Sequence, residues 1–158
     1  MRDLSRIVLA AALAVGLWPA WASAQDALNP AISKLDDEVS SFLESVARDD
    51  PRRAFKQLLA GSQLISQKEA VEQMVSRAEE IKRLYGPFQE AERVSRKQIG
   101  KDVVLLKYLY KCKYRPVVWY VTYYREPSSR TQMSDINPWV VLSLKFDTEV
   151  EALANSEK

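Results

Sequence analysis

The sequence predicts an α+β fold, with three N-terminal helices followed by a four-stranded antiparallel sheet. Two observations carry that expectation. Apolar residues recur at intervals of three and four from Asn29 to Gly86, and from Phe88 onward the chain turns to Val-, Tyr- and Trp-rich runs that mostly alternate. A third observation bounds the domain: the first twenty-four residues read as a leader, so 134 remain, enough for one core that hides roughly two thirds of the unfolded surface.

The leader comes first. Arg2 and Arg6 make a basic start, Ile7 to Trp21 is an apolar run broken by Gly16 and Pro19, and Ala22-Ser23-Ala24 supplies the small residues a signal peptidase accepts. The run is shorter than the roughly 20 residues that cross a bilayer. The expectation is a secretory signal peptide cut after Ala24, giving a periplasmic or secreted protein that keeps no stable membrane span. Cys112, the lone cysteine, lies too far from the leader for a lipid anchor, and it cannot close an internal disulfide. It is expected either to be buried as a small apolar group, the favoured reading, or to pair with another chain.

The helices follow in order. Asn29-Pro30 is a cap and a first-turn proline, after which Ile32, Leu35, Val39, Phe42, Leu43 and Val46 fall on one stripe. Asp50-Pro51 repeats the start signal for a short helix carrying Ala54, Phe55, Leu58 and Leu59, with Gly61 as its stop. Ser66 and Glu69 have capping-box spacing ahead of a third helix, with Val71, Met74, Val75, Ala78, Ile81, Leu84 and Tyr85 on one side and Gly86-Pro87 at its end. Asp36-Asp37-Glu38 and Asp49-Asp50 are read as helix-end acids that offset the dipole. The acidic polar side of the first helix argues against a membrane-surface role, which favours basic residues.

Strands are expected near 88 to 98, 102 to 114, 117 to 126 and 138 to 147, with a tight turn at Gly100-Lys101 and another at Arg115-Pro116. That second turn pairs Cys112 with Trp119, Tyr110 with Val121 and Tyr108 with Tyr123. One sheet face then holds Val104, Leu106, Tyr108, Tyr110, Cys112, Tyr114, Val117, Trp119, Val121 and Tyr123 and packs on the helices. The other face interleaves Lys107, Lys111 and Lys113 with Tyr120, Thr122 and Tyr124, so that lysine stems lie over aromatic rings. In the last strand Val140, Leu142, Leu144 and Phe146 make one face, and Val141, Ser143, Lys145 and Asp147 the wetter one. Ser128 to Asn137 reads as a polar connection, and residues 151 to 158 as a flexible tail.

Leu84-Tyr85-Gly86-Pro87-Phe88 leaving the long helix, the Ile99-Gly100-Lys101-Asp102-Val103 turn and Asn137-Pro138-Trp139-Val140-Val141 opening the last strand together resemble the nuclear transport factor 2-like (SnoaL-like) cone fold. The likeness rests on element order over residues 30 to 147. It implies a curved sheet wrapped around the long helix, with a cone mouth that holds a small ligand or receives a partner. Its enzymes place a carboxylate inside the cone, often with His or Tyr.

Composition excludes much chemistry. With no histidine there is no His acid/base pair, no Ser-His-Asp triad and no imidazole metal site. Removing Arg2, Arg6 and Asp3 leaves 21 basic and 20 acidic residues, a balance that argues against a dedicated nucleic-acid binder. The acidic runs lack calcium-loop spacing, four scattered glycines make no phosphate loop, and no cofactor or metal is expected. Glu90 and Glu92 are the only strand carboxylates expected to face inward, and no catalytic residue is assigned. Tyr108, Tyr110, Trp119 and Tyr123 are the candidate lining for an apolar or aromatic ligand. Lys107, Lys111, Tyr120 and Tyr124 are the candidate surface for a homodimer or a protein partner in the cell envelope. The function expected is that of an exported, non-catalytic binding or accessory protein. The alternative is a small isomerase, dehydratase or hydrolase using Tyr and Glu.

Overall fold

Three helices precede an antiparallel meander in the computed structural model, which describes residues 30–48, 50–127 and 138–154. The leader with its cut after Ala24, the Ser128–Asn137 connection and the last four residues lie outside them. Helices α1 (Pro30–Ala47), α2 (Pro51–Leu58) and α3 (Lys68–Tyr85) lead into strands β1 (Phe88–Ile99), β2 (Val103–Cys112), β3 (Val117–Arg125) and β4 (Trp139–Asp147), paired in the order β1-β2-β3-β4. Glu151–Ala154 forms a short helix, α4, at the start of the stretch expected to fray.

Local chemistry sets the helix boundaries. Asp50 accepts a hydrogen bond from the Arg53 amide at 3.2 Å and Pro51 begins α2 without wasting a donor. The capping box expected at Ser66 does not form: its hydroxyl donates back to the Gln63 carbonyl at 2.6 Å, within a 3-10 turn at Gln63–Ser66, and Gln67, the residue before α3, makes no side-chain capping bond. Ser62 caps that turn instead, accepting from the Leu64 amide, and its hydroxyl donates across the domain to the Val141 carbonyl of β4 at 2.5 Å.

The first helix, not the third, is the one the sheet buries. The whole predicted stripe of α1 is buried, whereas α3 buries only Val75, Ala78 and Ile81 and leaves Leu84 half exposed. Trp119 is the centre of the core. Its ring stacks on Phe146 at 4.2 Å and meets Phe42 of α1 edge-on at 5.3 Å, while Phe42 in turn meets Phe55 of α2 at 5.2 Å.

The register corrects the expected pairing. Tyr108 faces Trp119 and Tyr110 faces Val117, four positions away in summed numbering from the tight turn read at Arg115-Pro116. The physical reason is that the end of β2 is held elsewhere. The Lys113 amide donates to the Pro87 carbonyl at 3.0 Å and the Tyr114 amide to the Tyr85 carbonyl at 2.9 Å, so these residues pair with the α3–β1 connection before the chain turns. An even slip keeps every inward residue inward. Tyr114 is the exception, leaving the strand for the surface at 71% exposure.

In β4 the simple alternation also fails. The pairs Thr122–Ser143 and Tyr123–Val141 leave Leu142 over as a bulge. Trp139, Val141, Leu144 and Phe146 therefore face the core, while Leu142 points out and is 54% exposed.

Candidate functional site

A seam of polar side chains crosses the otherwise apolar interior between α1 and the sheet. It starts at β1, where two register shifts, one of them between Arg93 and Ser95, change which residues point inward. Residues three apart on a regular strand lie on opposite faces. Here Arg93 faces Tyr108 and Arg96 faces Leu106, both inward positions, because Val94 is bulged out between them.

Both guanidiniums reach one carboxylate. Arg93 Nη1 lies 2.5 Å and Arg96 Nη1 2.9 Å from Asp36 Oδ2. The Tyr108 hydroxyl lies 3.3 Å from the other carboxylate oxygen and 3.2 Å from the Asp36 carbonyl. Burial, chiefly, pushes the Tyr108 phenol up to about 12. Asp36 is buried in the second turn of α1, not at a helix end, which corrects the reading of the Asp36-Asp37-Glu38 run.

Further along α1, Glu38 approaches Tyr123 of β3. Burial raises the Glu38 pKa above 4.5, and the phenol partly offsets this. Burial and the facing carboxylate push the Tyr123 phenol up as well. The two groups are close enough to shift each other's proton affinity, yet the Tyr123 hydroxyl has no well-aligned hydrogen bond and is only 1% exposed. Glu38 lines a recess of about 200 Å³ between α1 and α2, with Ser41, Ser45, Phe42, Ala54, Gln57 and Leu58.

Glu90 and Glu92, the carboxylates expected to face inward, point to the opposite side, where both bind Lys111. The interior acids come from α1 instead. One signal for this was present in the sequence: Ile32, Asp36, Val39 and Leu43 follow a four-three-four spacing, so Asp36 lies on the apolar stripe itself.

Tyr108, Tyr110, Trp119 and Tyr123 are brought together and are each 3% exposed or less. Trp119 is enclosed by rings, and Tyr110 borders a second recess of about 200 Å³ with Val46, Ala47, Pro51, Ala78 and Phe88. Cys112 is buried beside them, its thiol pushed up to about 11 by burial.

On the outer face Lys107, Tyr120 and Lys145 stand directly across β2, β3 and β4 from one another. Both ammonium groups lie over the Tyr120 ring, at 5.9 Å and 4.7 Å from its centroid. Neither lysine has an acidic partner among the described residues. Lys97 lies on the same face in the neighbouring row, and Tyr124 lies further toward the β1–β2 turn. In the opposite direction the rows carry Glu92, Asp147 and Glu90, the last paired with Lys111. The face is thus cationic on one half and largely acidic on the other.

Among the described residues no group of three Asp, Glu or Cys side chains is placed to hold a metal, and no helix is long and apolar enough to cross a membrane. Comparison with family models, with curated proteins and with solved structures finds no match to this chain.

Proposed function

We propose that the protein is an exported, non-catalytic binding or accessory protein of the nuclear transport factor 2-like cone type, working through the outer face of its sheet. One observation carries the reading: the lysine–tyrosine–lysine row leaves two cations and a ring without acidic partners, on a face whose other half is acidic. Such a surface complements itself when a second copy packs on it face to face across a two-fold axis that lies in the interface and runs parallel to these rows, each cationic half meeting an acidic one. The interior supports the same reading, because its aromatic side chains are packed on one another and Asp36 is neutralised by two guanidiniums, which suits a fixed ion pair better than a proton carrier.

The test is the association state. Native mass spectrometry and sedimentation of the mature protein should show a dimer, or a retained partner as added mass, and Tyr120→Glu should return it to the monomer. A variant that stays as associated as the parent overturns the reading. N-terminal sequencing of protein recovered from the cell envelope should begin at Gln25.

A second reading is favoured by Glu38 and Tyr123. An acid held beside a buried phenol resembles the equipment of a histidine-free isomerase, dehydratase or hydrolase, with Glu38 as base and Tyr123 as donor. Retained turnover in Tyr123→Phe would remove it.

A further inference from the structure

We propose that Glu38, with Tyr123 behind it, anchors a binding site for a primary ammonium group that enters through the recess between α1 and α2. The site is on the helical side of the domain and does not rest on the outer-face reading above. Its first support is an imbalance. Asp36, two residues away, is neutralised by Arg93 and Arg96, and the other helix acids that pair do so with arginines at the surface, as Glu44 with Arg48 and Glu72 with Arg52. Glu38 is half-buried and has no cationic partner among the described residues. A carboxylate withdrawn from water without a counter-charge is costly, and an incoming cation recovers that cost.

The second support is the Tyr123 hydroxyl, buried with no aligned partner. Tyr123 stands beside Glu38 on the β3 side, while Glu38 also borders the recess, where a ligand can reach its carboxylate. The walls suit an N–H donor. Ser45 spends its proton on the Ser41 carbonyl at 2.8 Å, so its oxygen is left as an acceptor, and the Ser41 hydroxyl and Gln57 amide stand beside it. Phe42, Ala54 and Leu58 furnish an apolar wall for a short alkyl chain. At ~30 Å³ per water-sized group, about 200 Å³ admits a slim amine of a few heavy atoms. A calcium ion, which needs six or more oxygens, finds only one carboxylate here.

The experiment follows the side-chain carboxyl carbon of Glu38 and the Tyr123 ring by NMR at pH 8, with ionic strength held constant by sodium chloride. Ethylammonium is the probe, and Nα-acetyl-lysine amide and tetramethylammonium are the comparisons. The expected result is a saturable shift of both residues with ethylammonium and none with tetramethylammonium, which has no N–H. Saturation by the lysine derivative too identifies the occupant as a lysine tip of a partner; saturation by ethylammonium alone identifies a free amine. Glu38→Gln should weaken binding at least tenfold. Ser45→Leu, which fills the recess and keeps the acid, should abolish the shift should Glu38→Gln not fold. A linear, unsaturated response, or an equal response to tetramethylammonium, overturns the proposal.

Discussion

Arg96 donates to Asp36 across 2.9 Å, joining the edge strand β1 to helix α1 where the two side chains are only 13% and 12% exposed. Arg93 adds a second bond to the same oxygen, and Tyr108 approaches the other. Removing one member of a buried ionic group leaves the rest uncompensated, which generally costs about 3 to 5 kcal/mol. Because Arg93 is 40% exposed and can turn to water, the lower end applies. Asp36→Ala should lose about 3 kcal/mol in urea denaturation. Arg93→Ala should lose clearly less than Arg96→Ala, and equal losses would contradict the geometry.

Trp119 is fully buried among Phe42, Phe55, Tyr110 and Phe146, and its indole N–H has no hydrogen-bond partner. Trp119→Ala opens a large cavity at the junction of α1, α2 and the sheet and should cost about 3 to 5 kcal/mol. Trp119→Phe keeps a ring and removes an unsatisfied donor, so it should lose much less than its reduced volume suggests. Equilibrium unfolding of the two variants checks the ratio.

The helices and the inward face of the central strands were legible in the sequence because each has a strict period: the α1 stripe and the Val104-to-Cys112 alternation are both buried as read. What broke the reading was the bulge, an extra residue that resets a period of two. Val94 hides the fact that Arg93 and Arg96 share a face, and Leu142 does the same for Trp139 and Val141. The pairing register was lost for a related reason, since the bonds that hold Lys113 and Tyr114 go to Pro87 and Tyr85, far back in the chain. Asp36 could have been suspected from its place on the stripe, but its partners could not, because local spacing says nothing about which strand an α1 acid meets.

Gly86 ends α3 at φ 86° and ψ −177°, backbone that essentially only glycine adopts. A Cβ there would also stand 2.9 Å from two ring carbons of Tyr114 and 3.1 Å from the Lys113 Cβ. Gly86→Ala should therefore cost more than the roughly 1 to 3 kcal/mol of backbone strain alone. Tyr114 is 71% exposed, so Tyr114→Ala is mild by itself and should recover the clash but not the strain when combined with Gly86→Ala. Additive losses in the double-mutant cycle would refute this.

Cys112 is buried and its thiol is pushed up to about 11, so little thiolate exists at pH 8. The native protein should resist a disulfide reagent such as Ellman's at pH 8 and react with one equivalent once unfolded in guanidinium. Because access requires opening of the Phe88–Cys112 region, Asp36→Ala should speed the reaction by loosening β1 from α1. Rapid labelling of the native parent would show that the thiol is not enclosed.

Glu38 gives stability a particular dependence on pH. Its pKa in the folded protein is raised above the unfolded value near 4.5, chiefly by burial. An acid of this kind binds its proton more tightly when folded, so its stabilising contribution is complete below pH 4.5 and is lost as pH rises through the higher, folded value. Asp36 and Tyr123 face the same region, but Asp36 is neutralised by arginine and the Tyr123 phenol stays protonated throughout this range, leaving Glu38 to set the slope. Glu38→Gln should then flatten the fall in stability between pH 4.5 and neutrality and make the protein more stable than the parent at pH 7 to 8. Parallel stability curves for parent and variant across that window would mean that the carboxylate is solvated in the folded state.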